Sequence, residues 1–279
     1  MATPLIWAGL QLTRPLVMGI LNVTPDSFSG SGQTATAEAA IAAGANMLTE
    51  GADILDIGGE STRPGAAPVS PEQEQARILP VIRALAARGA VISVDTRHAG
   101  TMAMALDAGA RIINDVSALA HDPAAAALVA ARACPVVLMH MRGEPGTMSG
   151  QAVYRDVAAE VLAELTAARD RALAAGVRPG NIALDPGFGF AKLGAQNVTL
   201  LRATGQFVAL GHPILIGVSR KKFLGVISGE PDPARRDAES LAAALFAVGL
   251  GAHILRVHDV AGTVRALRVW QNLNARDDE

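Results

Sequence analysis

Eight times between Val17 and Val257 the 279-residue chain passes through a short, mostly apolar run and stops abruptly at a polar residue. The first run, residues 17–21, is too short for a helix and ends at Asn22, before a Thr-Pro-Asp-Ser turn. Such a run reads as a buried strand that delivers a polar side chain at its carboxyl end. Residues 54–57 follow the same form and lead into a Gly/Pro-rich loop carrying Glu60, Thr62 and Arg63. Residues 91–94 end at Asp95, residues 111–113 at Asn114 and Asp115, residues 136–139 at His140, and residues 182–184 at Asp185. Residues 214–218 end at Ser219-Arg-Lys-Lys222, and residues 254–257 at His258-Asp259.

Helical patterns fill the intervals, among them 36–50, closed by Gly51, and about 155–175. Ser70-Pro-Glu-Gln73 supplies an N-cap Ser, a Pro at the first helical position and a capping-box Gln, opening a helix to about residue 88. Asp122-Pro123 is expected to cap another. Strands that alternate with helices are parallel, and eight such units in one chain of this length predict a single (β/α)8 TIM barrel over residues 1–279. An open doubly wound sheet is the alternative; it would carry a Gly-rich dinucleotide turn after the first strand, and NVTPDSFS is not one.

Barrel closure gathers Asn22, Asp95, Asn114, Asp115, His140, Asp185, Lys221, Arg256 and His258 at one mouth. Singly, each has a bland explanation as a cap, a turn residue or a strand-end hydrogen bond. Together they divide into two halves. Asp95, Asn114 and Asp185 suit a flat heterocycle with several N–H donors. Lys221, Arg256, Arg63, Asn22 and His258 suit a phosphate-type anion. A substrate with a polar ring at one end and phosphates at the other fits both.

The remaining composition narrows the partners. A net charge of −2 gives no basic face for nucleic acid. No apolar stretch reaches the ~18 residues of a membrane span, and the N-terminus lacks a signal-peptide pattern. The lone cysteine, Cys134, reads as a core residue and fits a reducing compartment, so a soluble cytoplasmic protein is expected. Three rival barrel chemistries fit less well. The two histidines are far apart and no His-x-His pair follows strand one, against a metal-dependent hydrolase. Arg220 and Lys222 flank Lys221, against a Schiff-base lysine, and SRKKF and RVHDV are poor in the glycines of a sugar-phosphate site.

In order, GILNVTPDSFS, DIGGESTRPGA, SVDT, INDVS, MHMRGEPGTM, LDPGFGFAK, GVSRKKFLG and RVHDV cover essentially the whole span from Val17 to Val260. With these motifs the chain resembles the dihydropteroate synthase family of pterin-binding enzymes. The resemblance implies a folate-pathway transferase joining 6-hydroxymethyl-7,8-dihydropterin pyrophosphate to p-aminobenzoate, Mg²⁺-dependent, homodimeric and a sulfonamide target. By position it implies that Asp95, Asn114, Asp185 and Lys221 bind the pterin, with Met139 and Phe190 lining its pocket and Arg256 stacked on the ring. Asn22, Arg256 and His258 would grip the pyrophosphate, Asn22 also lying near Mg²⁺. Thr62, Arg63, Pro64, Ser219 and Lys222 would form the p-aminobenzoate site, with loops 24–29 and 61–65 closing over it. Arg63, Lys221, Arg256 and His258 would be the catalytic set, stabilising departing pyrophosphate before the aniline nitrogen attacks a pterin methylene cation. Two departures stand out: Gly30 and Ser31 follow PDSFS where many relatives carry Asp, and Lys222 replaces a common Ser. A pterin-binding methyltransferase-type module is the alternative within the fold, and a barrel that binds pterins without turnover, as a degenerate partner subunit, is an alternative of a different functional class.

Overall fold

A computed structural model describes residues 5–24, 33–60, 69–144 and 146–274. Eight parallel strands form one sheet: β1 (Leu16–Asn22), β2 (Ile54–Gly58), β3 (Ile92–Asp95), β4 (Ile112–Asp115), β5 (Val136–Met139), β6 (Ile182–Asp185), β7 (Leu215–Ile216) and β8 (Ile254–Val257). They pair in the order 6-5-4-3-2-1-8-7. A bridge between Leu184 and Ile214, with Leu184 N donating to Pro213 O at 2.9 Å, joins β6 to the approach of β7 and closes the barrel. Around it run α1 (Gln33–Glu50), α2 (Pro71–Ala86), α3 (Ala99–Asp107), α4 (Ala125–Arg132), α5 (Val157–Ala174), α6 (Gly194–Arg202), α7 (Thr204–Val208), α8 (Lys222–Ser228), α9 (Asp237–Gly249) and α10 (Val260–Asn274).

Several local expectations are met for the reasons given. Ser70 Oγ accepts from Gln73 N at 3.3 Å, with Pro71 at the first helical position. Asp156 caps α5 by accepting from Ala159 N at 3.1 Å. Cys134 is buried, and burial pushes its thiol up to about 11, away from reactivity.

Two expectations need correction. Asp122 does not occupy the N-cap of α4; it splits its carboxylate between Ala124 N (2.9 Å) and Ala99 N (2.8 Å), tying the start of α3 to the turn before α4. The strand-seven ladder covers Leu215–Ile216, preceded by the single bridge at Ile214, instead of 214–218. Gly217 adds no side chain, and Val218 O is engaged by Lys221 N (3.2 Å) in a turn, so the ladder ends early.

The strand period of two sorts the side chains into an outer and an inner set. Val17, Leu55, Val94, Ile113, Leu138, Leu184, Ile216 and Leu255 join the large core beneath the helices. Met18, Ile54, Ile112, Val137, Ala183, Leu215 and Ile254 point inward and make an apolar lower layer. An N-terminal hairpin, Ile6–Trp7 paired with Leu10–Gln11, brings Trp7 into that layer. Trp7 is fully buried and its Nε1 donates to Asn181 O at 3.0 Å. Two residues further along each strand, the same inward face carries Asp56, Asn114, Met139, Asp185, Gly217 and Arg256. An apolar floor therefore supports a polar layer directly above it. Among the described residues, no helix is long and apolar enough to cross a membrane.

Trp7→Ala should destabilise the protein by about 3–5 kcal/mol, since an aromatic plug and one hydrogen bond are lost from the lower layer. Urea unfolding checks this; a loss below about 1 kcal/mol, in the range of ordinary surface changes, would show that the hairpin is not part of the core.

Candidate active site

The polar layer bounds a cavity lined by Asp95, Asn114, Val116, Met139, Asp185, Phe188, Phe190, Gly217, Lys221 and Arg256. All seven residues assigned to a ring-binding pocket from the sequence are among them. Arg256, from β8, crosses the interior: Nε donates to Asp56 Oδ2 at 2.6 Å and Nη2 to Asp95 Oδ2 at 2.7 Å. Asn114 Nδ2 donates to the same Asp56 oxygen at 3.0 Å. Burial drives the Asp95 carboxyl up to about 7; Arg256 pulls it down, while Asp56, Glu74 and Asp115 add to the rise. Burial likewise lifts Asp185 to about 6 against the Gly187 N–H, Lys221 and Arg256. Burial opposes the charge on Arg256, but Asp56 and Asp95 outweigh it and its pKa is raised.

Asp56 lies inside residues 54–57, which by sequence read as a plain buried strand. The available signal was a carboxylate inside an otherwise apolar run, in register with the inward face that also carries Asn114. Conversely, Asp115 and His140 do not join the site. Each follows an inward-facing residue and so turns outward: Asp115 accepts from Ser117 N and Oγ (both 2.7 Å) and from Leu119 N (3.0 Å), holding the next turn.

His140 belongs to a separate buried network. Its Nε2 meets Glu164 Oε2 at 2.9 Å and its Nδ1 meets Lys192 Nζ at 2.8 Å. Burial and Lys192 push the imidazole down to about 4, so it is neutral, donating to Glu164 and accepting from Lys192. Lys192, pushed by burial to about 7, also donates to Gly187 O and Phe190 O, both at 2.9 Å. This ties down the loop that presents Phe190 to the cavity. Gly187 has φ +72, and a Cβ there would lie 2.0 Å from His140 O, so only glycine fits. A second hollow of about 250 Å³ lies beside His140, Glu164 and Arg171, and carries none of the floor carboxylates.

The cationic side is set by the turn after β7. Arg220 adopts φ +57 and is clamped by Asp237 through Nε–Oδ1 (2.7 Å) and Nη2–Oδ2 (2.8 Å), with Ser240 Oγ accepting its backbone N–H at 2.8 Å. Either side of this fixed residue, Ser219 and Lys221 take different directions. Lys221 Nζ sits 4.5 Å from the Phe190 ring centroid and lines the cavity. Ser219 Oγ accepts from His258 N at 3.1 Å and lies 2.9 Å from His258 Nδ1. The contact turns His258 Nδ1 towards Ser219, so that Nε2 is the ring nitrogen on the other side. Lys222 opens α8 and is exposed. Asn22 ends β1 beside Gly58 and is half-buried. Thr62, Arg63, Pro64 and loop residues 25–29 lie outside the described residues.

Acceptors on β3, β4 and β6 thus face cations on β8 and the β7 turn across one apolar-floored cavity, an arrangement that can read a donor-edged ring and hold an anion beside it. That defines a ligand-binding (β/α)8 barrel. Comparison with known proteins specifies it: residues 18–258 match the family model described as pterin binding enzyme, and the chain belongs to that family. It is 49% identical to a dihydropteroate synthase of Neisseria meningitidis over 95% of this chain and 94% of that protein. A structure of Xanthomonas albilineans dihydropteroate synthase with 4-aminobenzoic acid superposes with a TM-score of 0.91 at 49% identity, covering 96% of this chain and 97% of that one. The Xanthomonas enzyme in complex with 7,8-dihydropteroate gives 0.88 at 47% identity over 96% of each chain.

Arg256→Met should destabilise the protein by about 3–5 kcal/mol, because two buried carboxylates lose the charge that compensates them. Chemical denaturation at neutral pH checks it; an unchanged midpoint would mean that the ion pairs are not formed in solution.

Proposed function

We infer that the barrel mouth condenses 6-hydroxymethyl-7,8-dihydropterin pyrophosphate with p-aminobenzoate, yielding 7,8-dihydropteroate and pyrophosphate in folate biosynthesis. The single observation that carries this reading is the convergence of Asp95, Asn114, Met139, Asp185, Phe190, Lys221 and Arg256 on one cavity, in a chain whose relatives are dihydropteroate synthases. The chain is accordingly a transferase.

Asp95, Asn114 and Asp185 accept the ring N–H groups, Met139 and Phe190 pack on its faces, and Lys221 meets its polar edge while Arg256 stacks on it. Arg256, His258 and Asn22 hold the pyrophosphate. The departing anion is stabilised by these fixed donors in a poorly solvated cavity, and the rate gain comes from that preorganisation and from placing the aniline nitrogen against the pterin methylene. No protein nucleophile is required. Thr62, Arg63, Pro64, Ser219 and Lys222 form the p-aminobenzoate side; since Ser219 is engaged with His258, its part there is to link the two substrate ends.

A Mg²⁺ ion fits the donor chemistry. The described residues contain no cluster of three acidic, His or Cys ligands, and Mg²⁺ characteristically takes one or two protein oxygens, waters and substrate phosphates instead. Asn22, an oxygen donor at the end of β1, is the residue that would hold it. When bound, the ion neutralises charge on the leaving pyrophosphate.

Exposed Val226 and Ile227 on α8, Phe246 on α9, and Val269 and Leu273 on α10 lie on neighbouring helices, α8 and α10 each packing against α9, which supports a homodimer built on that side. A single free cysteine supports a cytoplasmic setting.

Pyrophosphate release that requires both substrates and Mg²⁺ is the expected result of the direct assay; pterin binding without release would make the chain a pterin-binding module. The raised carboxyl of Asp185 adds a pH signature. Pterin binding needs the carboxylate, so affinity for a pterin without pyrophosphate should be flat above neutrality and fall as pH drops through about 6. The ligand-free protein should respond oppositely. A carboxyl whose folded pKa is raised penalises folding only once ionised, so Asp185 contributes stability that grows as pH falls from about 6 towards the unfolded value. Calorimetric titrations across this range with wild type and Asp185→Asn check both; an identical pH profile in the variant would remove Asp185 from the ring-binding role.

A further inference from the structure

We propose that Lys192 and Asn197, neither of which lines the cavity, are positioning residues for the pterin: together they preform loop 187–192, so that Phe190 meets the ring without a further ordering step. The proposal deepens the reading above and rests on it only in placing Phe190 against the ring. Left to its backbone, the loop would not keep this shape. Gly187, Gly189 and Ala191 all adopt positive φ, at +72, +78 and +52, and a residue other than glycine stays in the left-handed region only where its surroundings impose it. Two buried side chains impose it here, each holding two backbone groups of the loop. Lys192 Nζ donates to Gly187 O and Phe190 O, both at 2.9 Å. Asn197, on α6, accepts from Gly189 N at 2.7 Å through Oδ1 and donates from Nδ2 to Lys192 O at 2.9 Å.

Lys192 is fixed in turn by His140, whose Nδ1 lies 2.8 Å and whose carbonyl oxygen lies 3.3 Å from Nζ. Four acceptors thus surround one nitrogen, and an ammonium, with three hydrogens and no lone pair, is the species that suits them. The ring of Phe190 joins Val116, Met139, Met148 and Ala191 in a buried cluster, and Lys221 Nζ stands 4.5 Å from its centroid. Phe190 therefore passes the shape of the loop to three neighbours that also line the cavity, Val116, Met139 and Lys221. Replacing the ammonium should be felt there. Met at position 192 keeps the length of the side chain but leaves Gly187 O and Phe190 O without their buried donor, and an unpaired buried carbonyl is costly enough to drive the loop towards water. A surface that is out of place for part of the time loses affinity in proportion.

The test is a double-mutant cycle at a pH a little below the value of about 7 to which burial pushes Lys192, with binding of 6-hydroxymethyl-7,8-dihydropterin measured by calorimetry per folded molecule. Phe190→Ala should raise the dissociation constant about tenfold to a hundredfold, as for the loss of one aromatic stacked on a heterocycle. Lys192→Met should raise it about tenfold, corresponding to a loop in place about one tenth of the time. Because Lys192 acts through Phe190, the double variant should bind within about threefold of Phe190→Ala alone, a non-additivity that unconnected sites do not show. In steady-state turnover of Lys192→Met, the KM for the pterin pyrophosphate should follow the dissociation constant while kcat stays within about threefold, since Arg256 and His258 are left in place.

A purely structural Lys192 would instead lower the melting temperature and leave pterin affinity per folded molecule at the wild-type value; that result overturns the proposal. Additive losses in the double variant overturn it as well, because Lys192 would then not act through Phe190. Unchanged affinity in Phe190→Ala overturns the packing of Phe190 on the ring and the proposal together, whereas weakened binding in Phe190→Ala with normal binding in Lys192→Met overturns only the positioning role. If Lys192→Met does not fold, Asn197→Ala carries the same cycle, since it releases Gly189 N and Lys192 O of the same loop. Weakened binding that disappears in the Phe190→Ala background is then the expected result, and wild-type affinity in Asn197→Ala overturns the proposal.

Discussion

The guanidinium of Arg256 reaches from β8 across the barrel to Asp56 on β2 and Asp95 on β3, and the polar layer above the apolar floor depends on that contact. Buried carboxylates are tolerated only when a cation and hydrogen bonds offset their lost hydration. Here one planar fork serves two of them, and a third, Asp185, is offset by the Gly187 N–H, Lys221 and the more distant field of Arg256. The charge arrangement leaves acceptors on one wall and cations on the other before any ligand arrives, which is what preorganised electrostatic catalysis requires.

Two further devices hold the walls in place. Lys192, buried and satisfied by His140 Nδ1 and two carbonyl oxygens, fastens the loop that carries Phe190. Arg220, in a left-handed conformation locked by Asp237, sends Ser219 to His258 and Lys221 to the cavity. In both places a basic side chain that does not line the cavity shapes the backbone from which a cavity-facing side chain projects. The pattern is the same as that of Asp56 beneath Asn114, in which rigidity is supplied from the layer behind the site.

Much of this is legible in the residues alone because a barrel strand is short and its apolar run ends where the mouth begins. That made the eight strands, the order of the motifs and seven of the ten cavity-lining residues readable, and the match to the pterin-binding family agrees. What linear order hides is parity. Asn114 and Asp115 are adjacent, as are Met139 and His140, yet the strand period sends the first of each pair to the cavity and the second to the helical layer. Asp56 was hidden for a related reason: its run looks apolar until its inward neighbours are known. Lys192 and Asp237 could not be assigned from spacing, since their partners come from distant segments or depend on one residue with positive φ.

The central claim is that the ring end of the pterin lies on the polar row formed by Asp95, Asn114 and Asp185. Its most direct measurement is a crystal structure of this protein with 7,8-dihydropteroate. The account predicts the ring within the barrel, its polar edge at hydrogen-bonding distance from Asp95, Asn114 and Asp185, with Phe190 and Arg256 against its faces. A ring bound at the rim, out of reach of these three side chains, would contradict it.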